Sequence, residues 1–371
     1  MRQKVINIVG ARPNFMKIAP IVAEMNRHGD AIEHLLVHTG QHYDKAMSKS
    51  FFDDLEIPRP DIDLEVGSGS HAEQTALVMT KFEKVLLSEK PDLILVVGDV
   101  NSTLACSVTA AKLCIPVVHV EAGLRSFDRQ MPEEINRIVT DALSDYLFTT
   151  ERGAGANLQR EGVPAEKIFF VGNVMIDTLM KHRAKAAEST IDAKLGTNGA
   201  PYALLTLHRP SNVDSRDTLV DIVSALKTIS HDIPIIFPAH PRTRKQIDLF
   251  GLGSEFSDLN APLPKSGIHL MGPVGYLDFL HLMENASLLL TDSGGIQEET
   301  TILGVPCITM RENTERPVTV TEGTNVLVGM EREVIVREAL NCLNGKGKKG
   351  RVPELWDGRA SERIVKILME R

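Results

Sequence analysis

Long apolar runs are missing from this 371-residue chain. No stretch approaches the roughly 18 residues that a membrane helix needs, so no membrane span is expected. The opening segment Lys4–Val9 is too short for a signal-peptide core and reads as a strand. Cysteine is scarce. Cys106, Cys114, Cys307 and Cys342 form no CxxC pair and show no metal-ligand spacing to histidine. That excludes a disulfide framework and a zinc site, and predicts reduced thiols of a cytosolic protein. Positive charge is also short. Lys and Arg number 41 against 49 Asp and Glu, net -8, with the signs interspersed, which argues against a nucleic-acid partner. An anionic substrate would need Arg, Lys and His gathered locally against that field. No internal repeat is visible, and the one biased patch, Gly345–Gly350, reads as a surface loop. No strand is followed by G-x-G-x-x-G with a distal acid, so a dehydrogenase is the least favoured enzyme class.

What is present is the composition of a globular protein, 43% hydrophobic and 24% charged, with length for two ordinary domains. Short β-branched runs alternate with helical stretches throughout, which argues for an α/β fold of parallel sheets flanked by helices. Strands are expected at Val5–Val9, Glu33–His38, Leu93–Val97, Val117–Glu121, Tyr146–Thr149 and Ile168–Val171. A second set follows at Ala203–Leu207, Ile233–Phe237, Ile268–Met271, Ala286–Thr291 and Val305–Thr309, with a short one at Asn325–Val328. Helices are expected over Lys17–Arg27, His71–Glu89 and Ser102–Leu113, with an amphipathic one over Ser361–Met369. Residues 187–201 lose periodicity and carry Gly196, Gly199 and Pro201, so they read as the linker. The expected domains are 1–185 and 186–371, with the last helix free to pack back on the first. Two doubly wound domains predict a ligand cleft at the strand C-termini, between the domains.

The most informative stretch is Asp292-Ser293-Gly294-Gly295-Ile296-Gln297-Glu298-Glu299. It follows a strand and opens a helix. Free N–H groups and the positive end of the helix dipole there suit a phosphate, and the glycines let it approach the backbone. Glu299, one to two turns on, can reach a ribose diol. The plainer reading is a strand-to-helix turn capped by Ser293. Arg12 and Lys17 follow the first strand and offer charge to a phosphate, or are solvated bases at a helix start. Asp99, ending the central strand, is a base, a hydroxyl-binding carboxylate or a helix N-cap. Glu121 ends an apolar strand, where an acid is costly to bury without a task. Glu133 and Glu134 sit in the first turn of a helix opened by Pro132, which dipole complementarity alone accounts for. Convergent acids would nonetheless supply a base and an acid for proton transfer at carbon. His208 stands just past a strand end, and His240 repeats the pattern less sharply. Phe279 or Tyr276 can face a nucleobase, and Arg316 can reach a phosphate or sugar.

Taken in order, Gly10-Ala11-Arg12-Pro13, His119–Arg125, Pro132-Glu133-Glu134 with Asn136-Arg137, Thr291–Glu299 and Thr314–Pro317 resemble the non-hydrolysing UDP-N-acetylglucosamine 2-epimerases across essentially the whole chain. The resemblance implies two Rossmann-like domains in the GT-B arrangement, in a cytoplasmic homodimer. It implies that Ser293, Gly294 and Gly295 hold the diphosphate, Glu299 the ribose and Phe279 the uracil region, with the backbone near Val274 facing the base. Arg12, Lys17, His208 and Arg316 match the basic residues on the phosphate and sugar side, and Asp99, Glu121 and Glu133 the catalytic carboxylates. The implied reaction removes the C2 proton, expels UDP in an anti elimination to 2-acetamidoglucal and adds UDP back after reprotonation. It uses no cofactor and no metal. Two segments depart from the family. Its first motif is usually Gly-Thr-Arg-Pro-Glu, against Gly10-Ala11-Arg12-Pro13-Asn14 here. Gln41-His42-Tyr43-Asp44 keeps only part of a loop that in bacterial relatives helps bind a second UDP-GlcNAc as activator. The first motif, with Val37–His42 through Phe51-Phe52, also resembles epimerases of UDP-2,3-diacetamido-2,3-dideoxy-glucuronic acid, whereas Arg316-Pro317 looks like the UDP-GlcNAc enzymes. A hydrolysing epimerase, a GT-B glycosyltransferase and a UDP-sugar sensor are the remaining alternatives.

Overall fold

The structure, a computed structural model, describes residues 2–40, 56, 58–197, 199–259 and 261–370. Gln41-His42-Tyr43-Asp44 and Phe51-Phe52 lie outside the described residues. The chain divides into two units, Met1–Lys181 with Glu354–Arg371, and His182–Pro353. The division falls inside one helix, Val174–Ala187. Among the described residues, no helix is long and apolar enough to cross a membrane.

The first unit is a seven-stranded sheet, β1 (Gln3–Val9), β2 (Ile32–His38), β3 (Ile62–Asp63), β4 (Leu93–Val97), β5 (Val117–Val120), β6 (Tyr146–Thr149) and β7 (Ile168–Phe170), in the order β3-β2-β1-β4-β5-β6-β7. Every pairing is parallel. All five residues of β4 are buried, as a central strand covered on both faces requires. The helix His71–Glu89 starts where Ser70 and Glu73 form a capping box. Its Val78, Phe82 and Leu86 pack on Ile6, Ile8, Ile94 and Val96.

The second unit repeats the plan with β8 (Ala203–Thr206), β9 (Ile235–Pro238), β10 (Ser257–Asp258), β11 (Ile268–Met271), β12 (Leu288–Thr291), β13 (Cys307–Thr309) and β14 (Asn325–Leu327), in the order β10-β11-β9-β8-β12-β13-β14. It too is wholly parallel. Its core joins Leu205, Ile235, Phe237, Leu288 and Leu290 to Ile222 and Leu226 of the helix Arg216–Ile229.

The expected strands are all present, shortened where a proline or a turn intervenes. β9 begins at Ile235 because Pro234 offers no N–H, and β13 begins after Pro306 for the same reason. β5 stops at Val120 because Glu121 turns to φ 72°. The sequence reading missed β3 and β10, edge strands of two residues each, too short to show alternation. The linker segment holds a short helix, Ile191–Leu195.

Residues 354–369 complete the first unit. The indole N–H of Trp356 donates to the Thr150 carbonyl at 2.9 Å. Asp177 caps the helix Ala360–Met369 from outside it, accepting from the amides of Ala360 (3.0 Å) and Ser361 (2.7 Å) and from the Ser361 hydroxyl (2.6 Å).

Each sheet has one switch point, where successive connections leave toward opposite faces. It lies between β1 and β4 in the first unit and between β8 and β12 in the second. Ligand sites of doubly wound sheets form at the strand C-termini there.

Candidate active site

In the first unit, three strand ends meet at the switch point. Asn14, on the first turn of the helix Arg12–Arg27, accepts from the amides of Gly10 (3.2 Å) and Ala11 (2.9 Å) and donates to the Val97 carbonyl (2.9 Å). It therefore ties the loop after β1 to the end of β4. One turn on, the ammonium of Lys17 is buried and lies 2.5 Å from Glu121 Oε2. Lys17 is thus an internal ion-pair partner, not a solvated base. Arg12 is exposed at the helix start.

Glu121 is 3% exposed and sits in the left-handed region at φ 72°, a conformation costly for a residue with a Cβ. Its Oε1 is buried with no hydrogen-bond partner among the described residues. A desolvated carboxylate oxygen without a partner is an acceptor waiting for a proton donor.

Asp99 does not cap the next helix, whose N-cap position is Val100. Its carboxylate lies 2.7 Å from Arg137 Nη1 instead, and its carbonyl accepts from Asn136 Nδ2 at 2.8 Å. Both partners come from the helix Pro132–Leu143. Glu133, on the first turn of that helix, is exposed, while its neighbour Glu134 is buried. Glu134 accepts from the amides of Ser126 (3.0 Å) and Phe127 (2.9 Å) and from Arg137 Nη2 (2.6 Å). Burial opposes its ionisation, but the Ser126 amide and the Arg137 charge outweigh burial and hold the carboxyl below its usual range.

Behind these acids is a buried charged cluster. His119 Nδ1 is 2.6 Å from Asp141, and His119 Nε2 is 2.9 Å from the Gly98 carbonyl. Asp141 also accepts from the Gly123 amide at 3.0 Å and lies 2.7 Å from Arg125. Burial pushes its carboxyl up, and His119 and Arg125 more than reverse that.

In the second unit, Asp292 is fully buried and laces the two strands at the switch point together. Its Oδ2 accepts from the amides of His208 (2.9 Å) and Arg209 (2.8 Å), and its Oδ1 lies 3.2 Å from His208 Nδ1. The His208 side chain remains 52% exposed. Ser293 occupies the N-cap of the helix Gly294–Leu303, yet its side chain makes no capping bond. The first-turn N–H groups so keep their capacity for an anion.

Arg316 reaches over that turn. A Cβ on Gly294 would fall 2.7 Å from Arg316 Nη1 and 2.6 Å from Glu315 Oε1. Only glycine leaves room for both. Arg316 is held by Glu298 (2.8 Å) and Glu315 (2.6 Å). Glu315 also faces Arg311 at 2.8 Å and Arg209 at 3.6 Å. Burial works against its charge, but the three guanidiniums hold its carboxyl far below the usual range. Gly295 by contrast faces open space. Glu299 is buried and accepts from the Tyr276 hydroxyl at 2.8 Å. Burial drives its carboxyl up to about 7, the Tyr276 bond opposes the rise, and the charge of Glu298 adds to it. Tyr276 is thereby engaged inside the unit, and Phe279 is half-buried on the same helix. Val274 is half-buried just before that helix, and a cavity of about 370 Å³ is lined by Ala239, Pro241, Arg244, Lys245, Asp248, Gly272 and Pro273. His240 has a local task, its Nδ1 accepting from the Arg242 amide at the next helix start.

Lys17, Asp99 and Glu121 thus gather at the first switch point, and His208, Ser293, Gly294, Gly295 and Arg316 at the second. The sequence reading did not single out Asn14, Asp141, Asp292 or Glu315 as working residues. Arg137 carried a signal, since it lies one turn from Glu134. Asp141 carried none, standing 22 positions from the histidine it holds.

A family model described as UDP-N-acetylglucosamine 2-epimerase matches residues 23–369. The UDP-N-acetylglucosamine 2-epimerase of Methanocaldococcus jannaschii is 46% identical over 367 residues, 97% of either chain. The UDP-2,3-diacetamido-2,3-dideoxy-D-glucuronate 2-epimerase of Pseudomonas aeruginosa is 42% identical over 368 residues, 98% of this chain and 99% of that one. A crystal structure of the M. jannaschii enzyme in complex with UDP-GlcNAc and UDP superposes with a TM-score of 0.90 at 44% identity, covering all of both chains.

Proposed function

This chain belongs to the UDP-N-acetylglucosamine 2-epimerase family and is an isomerase, and we propose that it interconverts UDP-GlcNAc and UDP-ManNAc without releasing free sugar. In the first unit, Glu121, Asp99 and Glu133 are assigned the removal and return of the C2 proton. In the second, the helix start at Ser293–Gly295, with Arg316 and His208, is assigned the diphosphate as it leaves C1 and returns. Preorganised donors aimed at the leaving group's growing charge lower the barrier to elimination. Glu299 takes the ribose, and Val274 and Phe279 the base. Arg12 and Lys17 add positive charge, Lys17 also fixing Glu121. The intermediate is 2-acetamidoglucal, and reprotonation on the opposite face inverts C2.

The observation that carries this reading is the Glu121 carboxylate, buried, strained, fixed through one oxygen and, among the described residues, unpartnered at the other. Purified protein with UDP-GlcNAc in deuterated water is expected to place deuterium at C2 and form UDP-ManNAc. Glu121→Gln is expected to abolish exchange while still binding UDP. Exchange that persists in this variant removes Glu121 from the mechanism, and stoichiometric free UDP and sugar would refute the non-hydrolysing claim. The P. aeruginosa relative supports one second reading, in which the diacetamido-glucuronate nucleotide is the sugar exchanged. The same experiment on both substrates separates the two. The reading carries with it a cytoplasmic homodimer, for which a solution mass of a single chain would be the contrary result.

A further inference from the structure

The cluster of His119, Asp141 and Arg125 has no part in the proton transfer proposed above, yet it grips both strand ends from which the transfer is proposed to come. A carbonyl oxygen only accepts, so His119 Nε2 donates to Gly98, and Nδ1 donates to the Asp141 carboxylate. Gly98 is the residue before Asp99. The same carboxylate accepts from the amide of Gly123, two residues past Glu121. Arg125 steadies it from the other side and is itself gripped by Glu161 at 2.9 and 2.6 Å. The chain turns through positive φ immediately after both strands stop, freely at Gly98 (69°) and at a cost at Glu121 (72°), whose Cβ makes the anchor there the more necessary. Both His119 and Asp141 are buried, so water cannot replace either partner.

We propose that Asp141 is a positioning residue of the epimerisation, setting Asp99 through His119 and the Gly98 carbonyl, and setting Glu121 through the Gly123 amide. This rests on the assignment of Asp99 and Glu121 to proton transfer. Displacing a reacting group by an ångström costs about 100-fold in rate, so the effect belongs in kcat and not in binding.

Two substitutions at His119 divide its bonds. The amide of His119→Asn stands where Nδ1 stood and can still serve Asp141. The amide of His119→Gln reaches toward the Nε2 position and can still serve the Gly98 carbonyl. Each variant breaks one link between Asp141 and Gly98, so both are expected to lower kcat for C2 exchange by about 100-fold, with KM and UDP affinity within about twofold of wild type. Asp141→Asn, which keeps shape and volume, is expected to fall with His119→Asn and again to spare KM. Wild-type exchange in Asp141→Asn or His119→Asn overturns the proposal. So does a loss in these variants that reaches KM and keeps step with their melting temperatures, which marks a merely structural role. Failure of the wild-type protein to exchange C2 on either nucleotide sugar is a separate result, and refutes the assigned function itself.

Discussion

At Glu299 burial, hydrogen bonding and a neighbouring charge meet on one carboxyl, and the sum leaves it near neutrality at about 7. The sign of the consequence follows. The folded protein keeps a proton that the unfolded chain releases above the ordinary carboxyl value of 4.5, so this group's contribution to stability is full at low pH and is lost as pH climbs from there toward 7. Ribose hydroxyls donate to a carboxylate, so a bound nucleotide favours the ionised form. UDP affinity is therefore expected to rise between about pH 6 and about pH 8, and Glu299→Gln to remove that part of the rise. Calorimetric titration of both proteins checks this, and superimposable pH profiles would exclude Glu299 from the ribose. At this scale the sequence was legible in kind but not in company. An acid closing an apolar strand, as Glu121 does, announces itself. That its partner is Lys17, 104 positions away, is a property of the fold. The ambiguity at Asp99 and Ser293, cap or ligand group, was real, because those residue types serve both ends equally well. Only geometry removed the capping reading, by giving neither side chain a capping bond.

Strands and helices were the most readable level. β4 and the helix His71–Glu89 stand where their apolar runs and caps put them, since continuous burial and a Ser-x-x-Glu start leave few alternatives. Boundaries slipped where backbone chemistry overrode hydrophobicity, at Pro234 and Pro306. The helix Gly294–Leu303 shows how an element's first residue can govern a site. An alanine Cβ at 294 would press on the ends of the Glu315 and Arg316 side chains, which are buried and paired with each other. The guanidinium would not survive in place. Gly294→Ala is expected to weaken UDP binding by about tenfold, roughly 1.4 kcal/mol, and to lower the melting temperature through the disturbed ion pairs. Undiminished affinity would show that Arg316 does not attend the diphosphate.

For the molecule as a whole, the alternation of strands and helices was enough to foresee two doubly wound sheets, but not which strands would be neighbours. The return of residues 354–369 to the first unit has a practical use, because Trp356 is the one tryptophan in the chain and it is buried in that unit. Its fluorescence reports on the first unit. Asp177→Ala removes the cap of the helix Ala360–Met369 and is expected to lower the stability read from Trp356 by about 1–2 kcal/mol in a denaturant titration. An unshifted fluorescence transition would deny the cap its role. The same return has a consequence for biosynthesis. Residues 354–369 leave the ribosome only after all of residues 182–353, so the first unit to be synthesised is the last to be finished, and while the second is being made the first waits with the seat of Trp356 open, in need of protection from neighbouring nascent chains.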